Sequence, residues 1–180
     1  RSLKEALVGV LIGSVVTLAM QGIQMAGAFM DIQSGLGSSQ ALNPMSGVMT
    51  TTISQFKSMM AVVVFLCADA HHAMIDALIH SYSALPATGQ VQQSVIAMIG
   101  QVSVLSIQIA APVMACGFVV DAALALLSRA VPQMPAMQVG MPAKIGVGLV
   151  TVAIGLPATV VGVNAMLGIS FNVLRGFFHY

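Results

Sequence analysis

Residues 6–20 read ALVGVLIGSVVTLAM, fifteen positions without a charge, and the pattern continues through QGIQMAGAFMDIQ to residue 33. Taken from Lys4 to Gln33, this predicts one helix of about 30 residues, long enough to span a bilayer with tilt. Gly9 and Gly13, extended by Thr17, form a small-residue face. Gly22 and Ala26 continue a similar narrow edge, suited to close contact with another helix. Gln21, Gln24, Asp31 and Gln33 are costly in lipid, so the second half of this helix is expected to face protein or water. The preceding RSLK lacks an initiator Met and, with the apolar run, imitates a signal peptide. No cleavage site follows, so the segment reads as an ordinary helix.

The rest of the 180-residue chain is of the same kind. Hydrophobic residues make up 58% and charged residues 6%, with a mean hydropathy of +0.97. Soluble domains carry about a quarter charged residues, so this surface must meet lipid, other protein or both. The net charge of +1 is spread along the chain. Without clustered Lys and Arg, nucleic acid is not expected as a partner. The length fits one domain or compact bundle. Cys67 and Cys116 lie in apolar runs and read as small core hydrophobes rather than a disulfide.

SGLGSSQALNPMSG, residues 34–47, is rich in Gly, Ser, Asn and Pro and predicts a loop, with a turn at Asn43–Pro44. A second helix is expected to start around Met49–Ser54 and run to Leu66 or beyond, through MMAVVVFLCA. The stretch that follows either continues this helix or starts the next after a bend, and SALPATG, residues 83–89, ends it. Ser94–Leu127 reads as a long helical segment that Pro112 should kink or divide. Gln101 and Gln108 share a face with Ser94 there. Residues 128–144 contain three prolines and predict a break. IGVGLVTVAIGLPATVVGV, residues 145–163, is the strongest candidate for a membrane span, with a kink expected at Pro157. Phe171, Phe177, Phe178 and Tyr180 follow as interface anchors. Four to six helical segments result. Period-two alternation is missing, so the fold class is all-α.

FLCADAHHAMIDALIHS, residues 65–81, gathers most of the ionisable side chains. On one helix Asp69, His72, Asp76 and His80 stand at i, i+3, i+7 and i+11 and share a face, while His71 points elsewhere. Ligands spread over three turns cannot converge on one ion. The rest of the chain offers only Glu5, Asp31, Asp121 and His179, so no metal site is expected. The stripe reads as a polar packing face, with a proton pathway as the less favoured alternative. No GxGxxG, phosphate loop, GxSxG or HExxH occurs, and neither a catalytic residue nor a cofactor is expected.

Three segments in order, AGAFMDIQSGL…NPMSG, FLCADAHHAMIDALIHSY and SRAVPQMPAMQVGMPAKIGVGL, resemble the FliR family of flagellar biosynthetic proteins and its injectisome counterparts. The resemblance covers nearly all 180 residues. It implies kinked helical hairpins of a type III export gate, lacking the additional N-terminal helices usual in the family. It also implies a bacterial inner-membrane subunit of the flagellar basal body, assembled with FliP and FliQ and other export-apparatus membrane proteins. Unfolded export substrates would pass through the channel, and inner-membrane lipid would surround it. Residues 1–90 would hold the long helix, a plug-like loop and a helical hairpin. Residues 91–180 would form a kinked C-terminal hairpin resembling FliQ.

Carried over by position, the plug or gating loop comprises Ser34, Gly35, Leu36, Gly37, Ser38, Ser39, Gln40, Asn43, Pro44, Met45 and Gly47. Asn43 stands where many relatives carry an acid. Ala70 stands where glycine is common, which favours an unbroken helix. Asp69, His72, Asp76 and His80 become an assembly face. Arg129, Pro132 and Gln133 match a bend between the two C-terminal helices, with Pro112 and Pro157 curving its arms. Arg129 is expected to act as a helix-end charge or to pair with Asp121 or a partner's acid. The competing function is an ion-coupled transporter or channel subunit that uses Asp69, His72, Asp76 and His80 as a relay.

Overall fold

A computed structural model describes residues 2–36, 52–81, 88–130 and 136–178. Six helices account for nearly all of them: α1 Ser2–Gln33, α2 Thr52–Cys67, α3 Ala70–Ser81, α4 Thr88–Ala130, α5 Ala136–Ile154 and α6 Leu156–Phe178. Among the described residues there is no strand, and three helices are long and apolar enough to cross a membrane. The chain is thus all-α, with the apolar helices of a membrane protein.

α1 is the spine. Val8, Ile12, Val15, Ala19, Ile23, Ala26 and Met30 are buried at steps of three or four, the stripe that a 3.6-residue period dictates. α4 runs parallel to it, since Gly22 meets Val102 and Ser106 while Gln33, eleven residues on, meets Gly117 and Asp121. The contact at Gly22 is so close that a Cβ would lie 2.3 Å from a Val102 methyl. The Ser106 hydroxyl completes it by donating to the Gly22 carbonyl at 2.7 Å. α2 returns antiparallel along α1, with Ser54 against Gly27 and Ser58 beside Gln24. The small-residue edge is therefore used at Gly22 and Ala26. At Gly9 and Gly13 a Cβ would meet nothing within 4 Å, so that half of the edge is open in this chain.

α5 and α6 together form the antiparallel arm opposite α4: Lys144 faces Asp121, Gly140 meets Leu124, and Gly162 meets Ile109. The apolar run 145–163 is not one helix. It is interrupted at Gly155, whose N–H still bonds the Thr151 carbonyl at 2.9 Å. Pro157, the second residue of α6, has no N–H to give to the carbonyl four residues back, so the ladder stops and restarts there. Pro112 has no such effect on helix continuity. α4 is a single 43-residue helix through it, with Pro112 exposed and Ile109, Ala110 and Val113 buried on the adjoining face. Packing on that side outweighs the missing hydrogen bond. The expected break over 128–144 is shorter than its prolines imply, because α5 already begins at Ala136 and contains Pro142.

A second correction concerns residues 65–81. The helix does not run through Ala70 but breaks just before it, and α2 and α3 meet at 67°. The Asp69 N–H bonds the Leu66 carbonyl three residues back, and Asp69 itself lies at φ 51°. That left-handed conformation cannot continue a helix. Cys67 is exposed at the end of α2 and Cys116 half-buried in α4; both are free thiols, and neither belongs to the core.

Candidate functional site

The densest polar construction lies where α1 ends. α1 closes at Gln33, the Ser34 N–H still bonds the Met30 carbonyl at 2.8 Å, and Gly35 follows at φ 79°. Glycine adopts this left-handed end without the steric cost of a Cβ. Ser34 is buried: its Cβ lies 2.6 Å from where a Cβ on Gly148 of α5 would stand, so only glycine at 148 lets the backbones approach so closely. Its hydroxyl donates to the Asp31 carbonyl at 3.2 Å.

Asp31 has no exposed surface, yet its carboxylate is fully used. Oδ1 accepts the Ile53 N–H at 3.1 Å and Oδ2 accepts the Ser54 N–H at 2.9 Å. These are first-turn amides of α2, which have no partner within their own helix. A carboxylate there also meets the positive end of the helix dipole. Asp31 is thus a cap supplied from 22 residues upstream of Ile53. Since residue 36 follows α1 and residue 52 begins α2, both ends of the segment between them are held at one carboxylate.

The end of α1 is also tied to the C-terminal arm. Lys144 Nζ on α5 lies 2.8 Å from Asp121 Oδ1 on α4, and Gln33 Nε2 donates to Asp121 Oδ2 at 3.2 Å. The Gln33 side chain lies flat on Gly117, where a Cβ would be 2.5 Å away. Asp121 therefore pairs with Lys144 and not with Arg129. Eight residues of helix carry Arg129 about 12 Å along α4, whereas Lys144 stands directly across the hairpin. Arg129 is exposed near the end of α4.

Lys57 is the residue that sequence reasoning passed over. It is buried, and its Nζ donates to Thr159 Oγ1 at 2.6 Å; Thr159 in turn bonds the Gly155 carbonyl at the α5–α6 interruption. Among the described residues no carboxylate lies within ion-pair distance of it. Its position was readable: Ile53, Ser54, Lys57 and Ala61 recur at helical spacing and form the buried face of α2.

The remaining expected site residues distribute as follows. Of the residues expected in the loop, Ser34, Gly35 and Leu36 are described and directly follow α1; Gly37, Ser38, Ser39, Gln40, Asn43, Pro44, Met45 and Gly47 lie outside the described residues, as do Pro132 and Gln133. Asp76, His72 and His80 are exposed on α3. Asp69 precedes α3, so it does not share their helical face, and its carboxylate is 75% exposed. Asp69, His72, Asp76 and His80 are thus all exposed on this chain.

Comparison with known proteins adds a second line of observation. The profile of the family described as Bacterial export proteins, family 1, matches residues 2–168. The chain is 29% identical over 180 residues to the flagellar biosynthetic protein FliR of Bacillus subtilis, covering 96% of this chain and 70% of that protein. It is 31% identical over 157 residues to FliR of Caulobacter vibrioides, covering 84% and 62% respectively. The surface presentation of antigens protein SpaR of Salmonella typhimurium is 29% identical over 150 residues, covering 82% of this chain and 57% of SpaR. The chain thus spans between 57% and 70% of the length of these curated relatives, whose names are those of flagellar biosynthetic and surface-presentation proteins rather than enzymes.

Proposed function

The chain belongs to Bacterial export proteins, family 1, and from that premise we propose that it serves as a structural and gating subunit of the flagellar type III export gate. In this reading it helps form the channel for unfolded export substrates, and residues 34–47 act as the plug-like loop. It carries out no chemistry of its own. FliP and FliQ are its partners, together with other membrane proteins of the export apparatus, in the bacterial inner membrane at the flagellar basal body. Residues 91–180 act as the kinked hairpin that resembles FliQ, with the bend at Arg129, Pro132 and Gln133.

The observation that carries this reading is the double anchoring at Asp31. A gate needs a segment that can move and attachment points that do not. The fully buried carboxylate fixes the first turn of α2, Gly148 receives Ser34, and the Gln33–Asp121–Lys144 network braces the end of α1. The exposed apolar side chains Phe118, Val119 and Leu126 on α4 and Ile154 and Val161 on the opposite arm offer surfaces for lipid and partner helices. A relay through Asp69, His72, Asp76 and His80 has less support, since intramembrane relays run through enclosed, mutually paired groups and these four are exposed.

Deleting residues 38–46 from the full-length protein in its assembled complex tests the plug role. Small-solute leakage through the inner membrane should rise severalfold in cells carrying the shortened loop. Unchanged leakage together with unchanged secretion would remove the plug from the proposal.

A further inference from the structure

The α2–α3 break does something that the regular helix expected there could not. On an uninterrupted helix His71 points away from Asp69 and His72. With Asp69 in the left-handed conformation, the chain turns and all three side chains come together. Each offers one ligand atom, and these atoms lie within 4.8 Å of one another. His72 Nδ1 is 3.3 Å from Asp69 Oδ1, and His71 Nε2 is 4.0 Å from the same oxygen. Two ligands bound tetrahedrally at about 2.0–2.1 Å stand roughly 3.3–3.4 Å apart, so the first pair already has the spacing and the second needs only a side-chain rotation.

Two further features mark the cluster. His71 Nδ1 is the one buried side-chain nitrogen or oxygen among the described residues without a hydrogen-bond partner. No hydrogen bond to Nδ1 holds the ring in its present rotamer, which leaves the imidazole able to make the rotation that brings Nε2 into ligand spacing. Asp69 is the one non-glycine residue with positive φ among the described residues. Strain of this kind persists where something over-determines it, and it recurs at ligand sites.

We propose that Asp69, His71 and His72 form a binding site for a divalent transition-metal ion of the zinc class, built on the break between α2 and α3. Two imidazoles and one carboxylate are borderline ligands that suit Zn²⁺, Ni²⁺ or Cu²⁺ and disfavour Mg²⁺ and Ca²⁺, which take oxygen shells. Three protein ligands leave the fourth tetrahedral position to water or to a side chain of a neighbouring subunit. The ion would join the residue at the break to the first turn of α3 and so stiffen the 67° bend. The site stands independently of the export reading.

The test uses the full-length protein in its assembled complex in detergent, free of any polyhistidine tag, titrated with Zn²⁺ against a chromogenic chelator. One ion per copy is expected, with affinity falling at least tenfold in each of Asp69→Asn, His71→Ala and His72→Ala. Cys116→Ser, in a potential ligand on another helix, should leave binding unchanged. Substitution with Co²⁺ should give the visible spectrum of nitrogen and oxygen ligation without a thiolate band. Absence of binding, or binding that all three variants leave unaltered, overturns the site. A thiolate band overturns it too. The three side chains are at least part-exposed, so the variants should fold, and retained circular dichroism of the complex makes a loss of affinity interpretable.

Discussion

Asp31 and Asp69 each stand at the entrance of a helix, and their surroundings are opposite. Asp31 is fully buried, with both oxygens occupied by the Ile53 and Ser54 amides. Asp69 immediately precedes α3 in the chain, and it is 75% exposed, with imidazoles as its neighbours. One position is closed by α2, with α5 packed on the adjoining Ser34; among the described residues no helix covers the other. The same residue type is therefore a structural cap in one place and an open ligand group in the other. What separates them is coverage, because a buried carboxylate must be fully bonded whereas an exposed one is left available.

The contrast can be broken most sharply at Asp31 itself. Asp31→Ala removes two charge-assisted hydrogen bonds and orphans two buried amides, and should lower stability by about 3–5 kcal/mol. Asp31→Asn keeps one acceptor and should cost roughly half as much. Thermal unfolding of the complex in detergent reads both. A midpoint unmoved by the alanine variant would mean that the first turn of α2 is not held there.

A smaller effect is expected one turn back along α1. At Gly27 a Cβ would lie 2.4 Å from the Ser54 Cα, so Gly27→Ala should force the α1–α2 pair apart at about 1–3 kcal/mol. Gly9→Ala meets open space and should raise stability by up to about 1 kcal/mol in the isolated chain. Equal effects at the two glycines would contradict the distinction between a packed and an open half.

The smallest change belongs to Asp69. With φ at 51°, Asp69→Ala should cost about 1 kcal/mol and Asp69→Gly less than about 0.5 kcal/mol, measured by the same unfolding. A loss at Asp69 as large as that at Asp31 would show that the exposed site is structurally closed after all.

Much of this was readable before any coordinate. The run of residues 6–20 announces α1, and the Gly, Ser and Pro content after residue 33 announces its end. Proline was the less dependable signal. Pro157 lies at a true interruption because Gly155 precedes it and Thr159 restarts the ladder onto the Gly155 carbonyl, whereas Pro112 is carried through by packing on its buried side. The left-handed turn at Asp69 had little local signal. Ala70 favoured continuity, and the aligned stripe from Asp69 to His80 was geometrically sound for a helix that the chain does not make.

The sequence by itself determined the all-helical class, the need for lipid or protein cover and the end of α1, because each follows from local composition or from a 3.6-residue period. Tertiary structure alone decided which charges are buried and with whom. Asp31 meets Ser54 across 23 residues, Gln33 meets Asp121 across 88 and Lys57 meets Thr159 across 102. Helical periodicity names the face on which a side chain stands. Only the packing of the helices sets what lies opposite that face, and hence whether a carboxylate becomes a buried cap or an open ligand.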